Sequence, residues 1–122
     1  MREMRVLLVD DEEELVSTMA ERLFLRGIGA DWASNADEAL MKLDSDRFDV
    51  VVLDVKMPKI GGLELKKLME RKYLNMKFIF LTGHGSATDF RAGSAEAGPE
   101  FYLVKPVGIE DLIGKMREAI EK

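Results

Sequence analysis

Hydrophobic and polar positions along this chain switch repeatedly between two periods, and the switches mark out ten elements. Apolar runs at 6–9, 50–53 and 78–81 are continuous, as in strands covered on both faces, where a half-exposed strand would alternate. With the mixed stretches around them, strands are expected near 4–10, 29–34, 48–54, 77–82 and 100–105. Helices are expected near 12–26, 36–45, 61–72, 86–97 and 108–121. In the first, Leu15, Met19 and Leu23 recur at fourfold spacing, flanked by Val16 and Ala20. In the last, Ile109, Leu112, Ile113, Met116 and Ile120 trace a stripe of period 3.6. Gly27 should stop the first helix and Gly98-Pro99 the fourth. Gly85 and Gly93 each cost about 1 kcal/mol against alanine in a helix, which makes the fourth the weakest of the five.

Strand and helix alternating from end to end predict an α/β fold: a parallel sheet with helices on both faces. The stretch 29–34 is mixed and short, and 100–105 contains Tyr102 and precedes a proline, so both suit edges. The doubly wound, flavodoxin-like order 2-1-3-4-5 places them there and sets strand one beside strand three. Ligands of such sheets bind at the carboxyl ends of the strands. Asp10 and Asp11, Asp54, Thr82 and Lys105 stand at four of those ends. Three carboxylates, a hydroxyl and an ammonium should therefore converge from distant parts of the chain.

Composition narrows what that cluster can do. The 122 residues are expected to form a single domain, 1–122, with 47% hydrophobic and 34% charged residues. The absence of cysteine excludes thiol catalysis, disulfides and thiolate metal sites, and one histidine excludes a two-histidine zinc motif. A net charge of −5 argues against direct binding to nucleic acid or an anionic membrane. Lys66, Lys67, Arg71, Lys72 and Lys77 are basic, but Glu64 and Glu70 interleave with them, so they read as a solvated helix face. The apolar run after Arg2 and Arg5 meets acids at 10–14 too soon for a secretion signal, and cytoplasm is the expected location.

Each site residue also has a local reading. Asp11 followed by Glu14 is a possible capping box, and the acids at 12–14 suit the positive end of a helix dipole. Capping leaves Asp10 unexplained. Three carboxylates within about 5 Å would repel by roughly 3 kcal/mol per pair at an effective dielectric of 20, so the cluster calls for a cation. Hard oxygen ligands favour Mg²⁺. Aspartate can accept a phosphoryl group as an acyl phosphate, with a divalent ion, a lysine and a threonine hydroxyl as partners for its oxygens.

The ordered set resembles the receiver domain of two-component response regulators over essentially the whole chain. The residues that carry the resemblance are Asp10-Asp11, Leu53-Asp54-Val55-Lys56-Met57-Pro58 with Gly61-Gly62, Leu81-Thr82-Gly83-His84-Gly85, and Lys105-Pro106. The resemblance implies that Asp54 is the phosphoacceptor. Mg²⁺ would be held by Asp10 or Asp11, Asp54 and the backbone carbonyl of Lys56. Lys105 and Thr82 would contact the phosphoryl group, and Thr82 and Tyr102 would form a switch, Tyr102 turning inward from the edge strand. The Lys105–Pro106 peptide would be cis. Lys56 and His84, two residues after Asp54 and Thr82, would tune the lifetime of the aspartyl phosphate. The implied phosphodonor is a sensor histidine kinase or a histidine phosphotransfer protein. The implied output surface is the fourth helix, fifth strand and fifth helix, open to an effector domain or a homodimer. Two departures fall on that surface: Gly98-Pro99 where relatives often carry Gly-Ala, and a fourth helix poor in apolar anchors around Arg91–Ser94.

Other classes fit less well. An aspartate-nucleophile phosphatase of the haloacid dehalogenase type needs a second acid two residues after its nucleophile, where this chain has Lys56. An FMN carrier needs a Ser/Thr/Gly-rich loop after strand one, where this chain has a run of acids. A receiver-like domain working without phosphorylation should lack one of the five key residues, and none is missing. The expected role is regulatory, with no turnover of an external substrate.

Overall fold

The computed structural model describes residues 4–73, 75–83, 91 and 101–121. In chain order it contains β1 (Arg5–Val9), α1 (Glu13–Phe24), β2 (Gly29–Ala33), α2 (Ala36–Ser45), β3 (Val50–Leu53), α3 (Gly62–Lys72), β4 (Lys77–Thr82), β5 (Tyr102–Val104) and α4 (Ile109–Glu121). The helix expected at 86–97 lies outside the described residues apart from Arg91, as do His84, Gly85, Gly93 and Gly98-Pro99. The helix labelled α4 is thus the fifth of the sequence reading. All five strands are parallel, in the order β2-β1-β3-β4-β5.

The three apolar runs occupy the middle of the sheet, buried almost throughout, and the two mixed stretches form its edges. Alternate residues feed two cores. Leu7, Val9, Leu53 and Phe80 pack with Ala39, Leu43, Leu65 and Met69 from α2 and α3. Val6, Leu8, Val52, Ile79 and Leu81 pack with Val16, Ala20 and Leu23 of α1 and Leu112, Ile113 and Met116 of α4.

Helix ends follow local chemistry. At the end of α1, Gly27 takes φ 80°, while the Ile28 N–H donates to the Leu23 carbonyl and the Gly27 N–H to the Phe24 carbonyl. That is the Schellman arrangement, which a side chain at 27 would strain. At the start of α2 the Asn35 side chain accepts from the Glu38 N–H, and the Glu38 carboxylate accepts from the Ser34 N–H. The expected capping box at Asp11 does not form: Glu12 occupies the N-cap of α1 and makes no side-chain cap bond. Asp10 intervenes instead, its Oδ1 accepting the Glu12 N–H at 2.9 Å.

Lys66 corrects the reading of a solvated basic face. It is 6% exposed, its Nζ lies 2.9 Å from Glu70 Oε2, and it sits 5.5 Å from the centre of the Phe78 ring. Its long apolar stem is what lets a lysine at this position lie down on the sheet.

The link from β3 to α3 presses the start of the helix against the chain around Asp54. The Gly62 N–H donates to the Val55 carbonyl at 2.9 Å, and a Cβ at Gly62 would overlap the carbonyl of Asp54. Backbone atoms cannot retreat as a flexible side chain can. Gly62→Ala should therefore destabilise the domain by about 1–3 kcal/mol. Urea unfolding measures this, and an unchanged midpoint would contradict the close approach.

Candidate functional site

Backbone pairing continues one step past the strands and fixes three of the five key residues. The Asp10 N–H donates to the Ala33 carbonyl, the Asp54 N–H to the Val9 carbonyl and the Lys105 N–H to the Thr82 carbonyl. Thr82 itself ends β4, in register with Val104. The carboxyl-end convergence thus follows from the strand order and its register. Ligand oxygens of Asp10, Asp11 and Asp54 all lie within 4.8 Å of one another.

Lys105 reaches across this group from the far side of the sheet. Its Nζ lies 2.6 Å from Asp10 Oδ2 and 3.9 Å from Asp54 Oδ2. It also lies 3.3 Å from Glu12 Oε1. Asp54 Oδ1 accepts a long hydrogen bond, 3.3 Å, from the Lys56 N–H. Asp10 and Asp54 are only 6% and 7% exposed, whereas Asp11 stands in solvent.

The electrostatics is that of an under-compensated cluster. Burial, and then the Asp10 charge, push the Asp54 carboxyl up to about 6, against the pull of Lys105 and the Lys56 N–H. Burial also works against the Lys105 ammonium, but its hydrogen bond to Asp10 and the surrounding carboxylates outweigh this and raise its pKa. Lys105 therefore stays charged at neutral pH. Three hard carboxylates, one of them held short of full ionisation, fit a small divalent cation such as Mg²⁺.

Thr82 is fully buried. Tyr102 is 4% exposed, its ring 6.2 Å from that of Phe80, which pairs with it across the sheet. The ring thus lies in the core in this structure. The Lys105–Pro106 peptide is cis. Lys56 is exposed, and His84 lies outside the described residues. Beside Lys105 a groove of about 310 Å³ opens between α1 and the segment following β5, lined by Leu15, Met19, Leu81, Pro106 and Val107.

Two participants escaped the sequence reading. Glu12 was legible only as a helix-dipole acid, because nothing in a run of acids says which one meets a lysine 93 residues away. Gly62 was legible as part of Gly61-Gly62, but its need to lack a side chain comes from the Asp54 carbonyl above it.

A family model described as the response regulator receiver domain matches residues 6–117. The chain belongs to that family. It is 33% identical over 119 residues to the response regulator MprA of Mycobacterium avium (strain 104), covering 98% of this chain and 52% of MprA. It spans about half the length of the curated relatives it matches. Among solved structures it resembles a CheY-like receiver domain from Methanospirillum hungatei JF-1, with a TM-score of 0.87 at 30% identity, covering 98% of this chain and 95% of that one. It also resembles the response regulator TrrA of Thermotoga maritima, solved in complex with Mg²⁺–BeF. The TM-score is 0.81 at 34% identity, with 95% and 98% of the two chains covered. The receiver is thus part of two-component signalling, in a family that is regulatory. Among its described residues no helix is long and apolar enough to cross a membrane.

The raised Asp54 carboxyl has a consequence for stability. Its value of about 6 in the folded chain exceeds the ordinary 3.8, so the folded state binds this proton more tightly than the unfolded one. The stability it contributes is complete below about pH 4 and lost as pH rises through 6. In chelator-treated buffer Asp54→Asn should be more stable than the unmutated receiver at pH 7 by about 1–2 kcal/mol, after allowance for solvent screening. The gain should vanish near pH 4. Urea midpoints at both pH values check this, and parallel pH profiles for the two proteins would refute it.

Proposed function

We propose that residues 1–122 form a single receiver module whose Asp54 accepts a phosphoryl group from the phosphohistidine of a sensor histidine kinase or a histidine phosphotransfer protein. The observation that carries this reading is the meeting of a buried Asp54 with Asp10, Asp11 and the charged Lys105 at one sheet edge. An Asp54 carboxylate oxygen attacks phosphorus in line. A P–O bond forms as the P–N bond to the donor imidazole breaks, and the imidazole leaves with the bonding pair and takes up a proton.

Asp10, Asp11, the Asp54 carboxylate and the backbone carbonyl of Lys56 are the groups that would hold Mg²⁺, which when bound supplies positive charge to the transferring phosphoryl oxygens. Lys105, charged and 3.9 Å from Asp54, is placed to pair with the phosphoryl group once it is attached. The Thr82 hydroxyl donates a hydrogen bond to the same group, and Tyr102 packs behind it as the second member of the switch. The signal leaves through β5, α4 and the helix that the sequence leads us to expect at 86–97, towards an effector domain or a second receiver. That TrrA was solved with Mg²⁺–BeF supports this reading. So does a Burkholderia pseudomallei response regulator with a phosphorylated aspartic acid and a calcium ion, matched at a TM-score of 0.83 and 26% identity. The receiver works in the cytoplasm, turns over no external substrate, and itself binds neither nucleic acid nor membrane.

Incubation with acetyl phosphate and Mg²⁺ should add the mass of one phosphoryl group, labile to hydroxylamine. The gain should disappear in Asp54→Asn and on chelation of the metal. No gain in the unmutated receiver would overturn the reading. Lys56→Ala and His84→Ala should each change the rate of dephosphorylation several-fold, followed by loss of the added mass after removal of the donor. If both rates match the unmutated receiver, neither residue tunes the phosphoryl lifetime.

A further inference from the structure

Lys105 has three acidic neighbours, and only one of them is the phosphoacceptor. Its Nζ is 2.6 Å from Asp10 Oδ2, 3.3 Å from Glu12 Oε1 and 3.9 Å from Asp54 Oδ2. The Glu12 side chain is 65% exposed while that of Lys105 is 14% exposed. Glu12 thus approaches the ammonium from the solvent side, at the first turn of α1. Its backbone position is fixed separately, by the N–H that donates to Asp10 Oδ1. A change of the Glu12 side chain therefore leaves the orientation of Asp10 intact.

The geometry points to Glu12 as a positioning residue that holds Lys105 on the α1 side of the site, away from Asp54, and so restrains phosphoryl uptake. This rests on the phosphoacceptor reading of Asp54. Asp10 is also a candidate metal ligand. Once its oxygens are engaged elsewhere, Glu12 and Asp54 are the two carboxylates left competing for the ammonium. Removing the Glu12 charge leaves Lys105 nearer to where an incoming phosphoryl group needs it. Glu13 and Glu14, exposed in the same turn, make no contact with Lys105 among the described residues, so they carry the same charge without the same contact.

The test compares Glu12→Gln with Glu13→Gln, which lose the same charge one residue apart. In ¹⁵N-labelled protein free of metal, hydrogen exchange of the Lys105 ammonium should accelerate about two- to fivefold in Glu12→Gln, the range of one exposed ion pair. In Glu13→Gln it should stay as in the unmutated receiver. Uptake from acetyl phosphate with Mg²⁺ should rise by a similar factor in Glu12→Gln only. An unmoved Lys105 signal in Glu12→Gln, or equal acceleration of uptake in both variants, overturns the proposal. The ammonium readout needs no phosphodonor, so it separates failure of this inference from failure of Asp54 as acceptor.

Discussion

Carboxylates gathered at one sheet edge repel one another, and a single ammonium from the last strand crossover opposes that repulsion. Asp10, Glu12 and Asp54 all face Lys105, and the nearest contact, 2.6 Å, goes to Asp10. One positive charge cannot neutralise all of them, so the Asp10 charge adds to burial, the larger cause, in raising the Asp54 carboxyl to about 6. The same shortfall is what a divalent ion held by Asp10, Asp11 and Asp54 would make up.

Much of this was legible in the sequence because it depends on periodicity. Continuous apolar runs located β1, β3 and β4, and the mixed composition of 29–34 and 100–105 set them at the edges, which yields the observed order. Convergence of Asp10, Asp11, Asp54 and Lys105 then required only the rule that parallel strands end together. What stayed hidden depends on distances across the fold. Lys66 sits in a basic stretch and reads as solvated, yet its ammonium lies over Phe78 and its stem is buried. Asp11 has the spacing of a cap, but Asp10 takes the Glu12 N–H first. Tyr102 reads as an edge-strand residue, and only its packing on Phe80 shows that its ring is buried.

The two faces of the sheet divide the work. Helices α1 and α4 cover one face, and α1 begins among the acids of the site, so Glu12 belongs to both helix and site. Helix α3 covers the other face and starts where Gly62 touches the Asp54 carbonyl. Any displacement at Asp54 is therefore felt first by the start of α3 through backbone contact and by α1 through charge.

The amides of Asp10, Asp54 and Lys105 are each tied to the last carbonyl of a neighbouring strand. Peptide groups supply those bonds whatever side chains surround them. Volume-conserving apolar changes in the core therefore leave these main-chain bonds in place. Relatives that share only a third of their residues with this chain can keep the same strand ends, because that placement is written in the main chain.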